Sequence, residues 1–154
     1  MRIGGIDPKT LPTEDFLVLP RGDGRLVIRA HAVPDMEAFA KLCPPPKAPG
    51  MLTKTGYVPD VNDEGYKSLV ARHNRQWLGF MVLNSLIDTE WDTVNGDDPS
   101  TWTNWEDDLK NAGLSVIERK HVLGLVMQVN SLDEQKIQAA REVFLRGTPT
   151  QSAQ

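Results

Sequence analysis

The side chains most capable of chemistry in this chain are three histidines and one cysteine, and their spacing argues against such a use. His31, His73 and His121 fall on three different expected elements, and no His or Cys pair stands at ligand spacing. A zinc site needs about four convergent ligands, so no metal site is expected. Cys43 precedes Pro44-Pro45-Pro46 in an expected loop, without a cationic neighbour placed to favour its thiolate. No serine sits on a glycine-flanked strand-to-helix elbow, and Gly4-Gly5 opens no phosphate-binding loop. The inventory points to a protein with neither catalytic residues nor a cofactor.

Carboxylates are the remaining candidates. Asp88, Glu90, Asp92, Asp97, Asp98, Glu106, Asp107 and Asp108 lie in one stretch that holds no Lys or Arg. Paired carboxylates for hydrolysis, or a calcium loop, would use such residues. The alternating oxygen ligands, central glycine and final glutamate of a calcium loop are not in register, however. Asp97 and Asp98 suit a helix N-terminus, where the dipole favours negative charge. Glu106, Asp107 and Asp108 are expected on the outer face of a helix whose inner stripe is Trp102, Trp105 and Leu109. Net charge is −4 with a pI near 5.3. That field opposes binding to a phosphate backbone, so no nucleic-acid partner is expected.

Tryptophans are interleaved with these acids. Tryptophan serves cores and binding hot spots alike. Trp102 and Trp105, at three-residue spacing, suit a core; Trp91, in a short acidic extended piece, is expected to be the most exposed. An acidic edge marked by tryptophan is a candidate docking surface for a basic, helical protein partner. The candidate partner-binding residues are Trp91, Asp92, Trp102, Trp105 and Phe39, and self-association is a further possibility.

The elements that position these residues follow from pattern. Asp15–Leu19 and Arg25–Val33 read as strands around the Pro20–Gly24 turn, which absorbs the tripeptide Arg21-Gly22-Asp23. Leu26 and Ile28 share one face, Arg25, Val27 and Arg29 the other. Pro34–Leu42 predicts a short helix capped by Asp35, with Phe39 and Leu42 inward, stopped by the triproline. From Cys43 to about Asn62 there are five prolines, two glycines and no apolar period. This long loop either wraps a partner or tethers two parts.

The longest helix opens at Asn62 or Asp63 and runs to about Leu86. Its stripe is Tyr66, Leu69, Val70, Trp77, Phe80, Met81 and Leu86 or Ile87, broadened late by Leu78, Val82 and Leu83. Glu90–Val94 reads as extended and Asn95-Gly96-Asp97 as a turn. Asp98-Pro99 starts a helix that Gly113 ends. Ser115–Glu118 and Ser131–Glu134 fit capping boxes. The first opens a helix carrying Val116, Leu123, Val126 and Met127. The second opens one carrying Ile137, Ala140 and Phe144, which Gly147-Thr148-Pro149 stops.

The expected fold class is α+β, mainly α: a small N-terminal β-hairpin lobe followed by a four-to-five-helix cluster. The expected divisions are 1–34 (hairpin lobe), 35–62 (short helix and proline-rich loop), 63–147 (helical body) and 148–154 (frayed tail). Hydrophobic content of 40% and charge of 25% are ordinary for a globular chain. One cysteine excludes an internal disulfide, no signal-peptide core is visible, and the apolar stretches around Trp77–Leu83 and Val122–Val129 are too short to span a bilayer. A cytoplasmic protein without a membrane partner is the expectation.

The order of parts resembles the tail assembly chaperones of tailed bacteriophages. The matching pieces begin with Phe39-Ala40-Lys41-Leu42-Cys43-Pro44-Pro45-Pro46, a Gly/Pro loop, and Asp63-Glu64-Gly65-Tyr66 opening a helix with Trp77. Glu90-Trp91-Asp92-Thr93-Val94 and Asp98-Pro99-Ser100-Thr101-Trp102 follow. Ala112-Gly113-Leu114-Ser115 with Glu118, and Asn130-Ser131-Leu132-Asp133-Glu134 with its helix, complete the set, covering roughly residues 36 to 146. The resemblance implies a chain that binds the tape measure protein before and during tail tube polymerisation, keeps it from aggregating and is then displaced. A structural virion component (a tail, neck or capsid accessory subunit) is the alternative in the same setting. A DNA-binding regulator using the helices at Ser115 and Asp133 is opposed by the acidic pI.

Overall fold

The computed structural model describes residues 1–10, 14–86 and 88–152. Its architecture is α+β and mainly α: two small antiparallel hairpins among and before five helices.

Strand β1 (Glu14–Arg21) pairs with β2 (Gly24–His31), with Arg21 opposite Gly24 and Glu14 opposite His31. Gly22 takes a φ of 51° at the first position of the two-residue turn, where a primed turn needs left-handed backbone. The Arg-Gly-Asp tripeptide is therefore turn. Arg21 also reaches across to Glu118, donating Nη1 and Nη2 hydrogen bonds of 2.6 and 2.9 Å. Ile28 faces inward and Arg25, Val27 and Arg29 outward as the pattern predicts, but Leu26, expected with Ile28, is exposed; Leu17, Leu19 and Ala30 complete the inner face and Phe16 and Val18 the outer.

Helix α1 is only Ala38–Leu42, and Asp35 Oδ1 accepts from the N–H groups of Glu37 and Ala38 at 3.0 and 3.2 Å. Phe39 is buried as expected, but Leu42 is exposed. The chain turns at Cys43, whose thiol takes the inward place and donates to Gln76 Oε1 at 3.2 Å.

The segment expected to be loop contains a second hairpin, β3 (Gly50–Thr53) with β4 (Gly56–Pro59). It escapes pattern reading because every residue on both faces is exposed, so no period of two arises. Local chemistry builds it. The Tyr57 ring lies across Gly50, where a Cβ would sit 2.3 Å from Cζ, and the Tyr57 hydroxyl donates to the Ala48 carbonyl at 2.7 Å.

Helix α2 (Glu64–Ser85) starts where Asp63 accepts from the Tyr66 N–H, and its C-terminal half is the buried half. Leu69, in the first half, is exposed, and Ile87 lies outside the described residues. Asp98 caps the next element, but it opens as a 3-10 helix (Pro99–Asn104) before becoming α3 (Trp105–Asn111). Gly113, at φ 95°, closes α3: the Leu114 N–H bonds back to Leu109 O and the Gly113 N–H to Lys110 O. Both leucines are buried, the apolar contact that accompanies this helix ending.

Helix α4 (Val116–Val129) carries the predicted capping box, Ser115 with Glu118. Its buried stripe is Val122, Leu125, Val126 and Val129; the expected Val116 and Met127 are exposed. Apolar residues stand on every side of this helix, so periodicity does not select a face and packing does. Helix α5 (Glu134–Ser152) is capped by Asp133, whose Oδ1 accepts from the Lys136 N–H at 2.9 Å, rather than by Ser131. The Ser131 hydroxyl instead turns back to Gln128 O. Ile137, Ala140 and Phe144 are exposed rather than inward. The helix also continues past Gly147 and Pro149, although a proline there gives up its N–H bond and crowds the carbonyl four residues back. Of the expected frayed tail, residues 153 and 154 lie outside the described residues.

Two apolar clusters result. The larger joins Leu19 and Ala30 of the first hairpin to Met81, Val82 and Leu86, to Trp105, Leu109 and Leu114, and to the α4 stripe. The smaller gathers Val33, Phe39, Phe80 and Trp102.

Candidate protein-binding surface

The tryptophan-marked edge expected at the surface is mostly folded inward. Phe39, Trp102 and Trp105 are 5%, 0% and 6% exposed. Phe39 is the hub of an aromatic nest, with ring centroids 4.9 Å from Trp77, 5.5 Å from Phe80 and 5.0 Å from His73; Phe80 and Trp102 lie 5.4 Å apart. Trp102 Nε1 donates to Asn95 O at 3.0 Å, satisfying the one polar atom of that ring. Gly79 makes this packing possible: a Cβ there would sit 2.2 Å from the Trp102 carbonyl oxygen. These three residues are therefore core, because α2 packs over the aromatic side chains of α1 before it and of the 3-10 helix and α3 after it. Trp91, expected to be the most exposed, is half-buried against the larger cluster; its indole nitrogen is buried without a hydrogen-bond partner among the described residues. Of the five candidates only Asp92 presents an exposed side chain.

Asp108 corrects the expected outer acidic face. It is 5% exposed and accepts three hydrogen bonds: Asp92 N–H at 3.0 Å, Thr93 N–H at 2.9 Å and Thr93 hydroxyl at 2.6 Å. Burial pushes its carboxyl pKa up. The hydrogen bonds from Thr93 and its neighbours outweigh that and hold it below the ordinary value. The segment after α2 is thus pinned to α3 by a carboxylate, and Glu106 and Asp107 alone of the three face outward.

Further polar residues that pattern reading passes over tie the elements together. Asn130 Oδ1 accepts from Val33 N–H at 2.8 Å, while its Nδ2 donates to Ser85 Oγ and Val126 O, both at 2.8 Å. Gln76 accepts from the Cys43 thiol and donates to Pro99 O at 3.2 Å. His73 Nε2 donates to Cys43 O at 3.2 Å, so this histidine is half-buried and structural. Burial raises the Cys43 thiol pKa, against a smaller lowering by Arg72, so the cysteine is a poor nucleophile. Asn130 stands just past a helix end, the one local signal that could have marked it.

What the molecule does present is apolar surface. On β3–β4, Met51, Leu52 and Tyr57 are exposed, Leu52 at 87%. On α5, Ile137, Val143 and Leu145 are exposed, and on the outer face of β1–β2, Phe16, Val18 and Val27. Among the described residues no cluster of His, Cys, Asp or Glu could hold a metal ion, and no helix is long and apolar enough to cross a membrane. Such surface can do one thing chemically, which is to exclude water against a complementary surface. No protein-family model, no curated protein and no solved structure matches this chain.

Proposed function

We propose that this chain is a phage tail assembly chaperone that binds the tape measure protein during tail morphogenesis, acting in the host cytoplasm by reversible burial of apolar faces and without bond chemistry. The observation that carries the reading is the apolar surface of α5, whose Ile137, Val143 and Leu145 lie in the open on a helix alternating with Lys136, Arg141, Glu142 and Arg146. A helix that leaves apolar side chains uncovered in this way offers a long client surface against which to bury its own. The resemblance of residues 36 to 146 supplies the identity of that client. Co-expression tests it: the tape measure protein should stay in the soluble fraction with the parent chain. It should precipitate with a variant carrying Ile137→Ser, Val143→Ser and Leu145→Ser, whose body melts as the parent does. Equal solubility with both would overturn the reading.

The second reading, a structural virion component, is favoured by the β3–β4 hairpin, which exposes both faces and leaves Met51, Leu52, Tyr57 and Val58 for a neighbour to bury. Proteomics of purified particles separates the two. A chaperone is absent from them, and a structural subunit is present at fixed stoichiometry.

A further inference from the structure

The two edges of the β1–β2 hairpin are not equivalent. Pro20 lacks an N–H, so its pairing with Arg25 is a non-hydrogen-bonded one. Parity along the ladder then points the N–H and C=O groups of Phe16, Val18 and Pro20 away from β2, and those of Arg25, Val27 and Arg29 away from β1. On β1 that outer edge is blunted: Pro20 has no donor, Arg21 Nη1 covers the Pro20 carbonyl at 2.7 Å, and Asp15 Oδ1 accepts the Phe16 N–H at 2.8 Å. Among the described residues nothing comparable covers β2. No described residue forms an ion pair with Arg25 or Arg29.

Beside the open β2 edge runs a groove of about 400 Å³. Consecutive residues from Leu26 to Arg29 line it, so it follows the strand's edge rather than one face. Leu86, Leu109, Ala112 and Leu114 line it opposite the strand, with the polar Asp88 and Thr89. A chain added there would send alternate side chains onto these leucines and the others outward beside Arg25, Val27 and Arg29.

We propose that the β2 edge captures an extended protein segment as a third strand, with apolar residues facing the groove and acidic residues facing Arg25 and Arg29. A second copy of this chain is the wrong occupant. Antiparallel pairing of two β2 strands about Val27 sets Arg25 of each against Arg29 of the other, and like charges directly opposite are destabilising. The inference rests on the reading of this chain as a protein-binding accessory. It is tested with synthetic probes, so its failure leaves the co-expression result untouched.

The probe is a short peptide alternating glutamate with leucine, compared by calorimetry with its lysine–leucine counterpart on the full chain. The acidic peptide should bind, the basic one roughly tenfold more weakly. Hydrogen exchange at the Val27 and Arg29 amides should slow on binding. Val27→Pro deletes an outward donor without touching the β1 ladder, as Pro20 already does opposite Arg25, and should weaken binding by about tenfold. Arg25→Glu with Arg29→Glu should invert the preference, which keeps the proposal falsifiable if the proline variant misfolds. Equal affinity for both peptides, unchanged exchange at Val27, or dimerisation through β2 would overturn it.

Discussion

Replacing Gly79 with alanine tests the packing on which the aromatic nest depends. The added Cβ would lie 2.2 Å from the Trp102 carbonyl oxygen, 2.7 Å from its carbonyl carbon and 3.0 Å from its Cβ. Ordinary contact is about 3.5 Å, so main chain must retreat by roughly 1 Å. Trp102 is fully buried and cannot retreat without opening the nest around Phe39 and Phe80. Overpacking of this kind costs about 1 to 3 kcal/mol, and a clash with backbone belongs at the upper end. Alanine returns about 1 kcal/mol of helix propensity, leaving a net loss of about 2 kcal/mol. For a chain of this size that lowers Tm by about 4 to 8 °C. The assay is thermal melting by circular dichroism, supported by urea titration. Gly124→Ala on α4 is the internal control, because nothing lies within 4 Å of the added carbon. It should raise stability by about 0.5 to 1 kcal/mol. If Gly79→Ala melts at or above the parent, the close approach of the 3-10 helix to α2 is refuted.

Asn130→Ala strands the Val33 N–H and the Ser85 hydroxyl and should cost about 2 kcal/mol in urea unfolding, whereas loss of a mere turn residue would cost almost nothing. Asp108 and Glu118 both have carboxyl pKa values held down in the folded state. For Asp108 the hydrogen bonds overcome burial; for Glu118 the Arg21 guanidinium leads, with the Ser115 N–H behind it. Their stabilisation is present above the unfolded carboxylate values and is lost as pH falls below about 4. Asp108→Asn and Glu118→Gln should each flatten that acid decline in a pH series of urea midpoints; an unchanged slope in both variants would refute the assignment. Cys43 should react with a thiol reagent near neutral pH more slowly than a free thiol does, and as fast only once the protein is unfolded.

Much of the fold is local and was therefore legible in residue order. The Gly22 turn, the Asp63 and Asp98 caps, the Ser115–Glu118 box and the Gly113 ending are all set by side chains within a few positions of the backbone they satisfy. The alternation of Ile28 with Arg25, Val27 and Arg29 reports one wet and one buried strand face directly, although Leu26 on the inner side stays exposed. Where a segment is apolar on all sides, as α4 is, or exposed on both faces, as β3–β4 is, composition carries no register and only contacts supply one. The burial of Phe39, Trp102 and Trp105 was illegible for the same reason. A tryptophan reads identically in a core and at a docking edge, and burial under α2 is a long-range fact that Gly79 permits and no local pattern announces. Absence of paired histidines and cysteines, the acidic field and the α+β class are properties of the chain as a string. The inward turn of Trp102, Trp105 and Asp108, the groove beside β2 and the exposure of apolar side chains on α5 belong to tertiary structure, because each depends on what is or is not brought alongside.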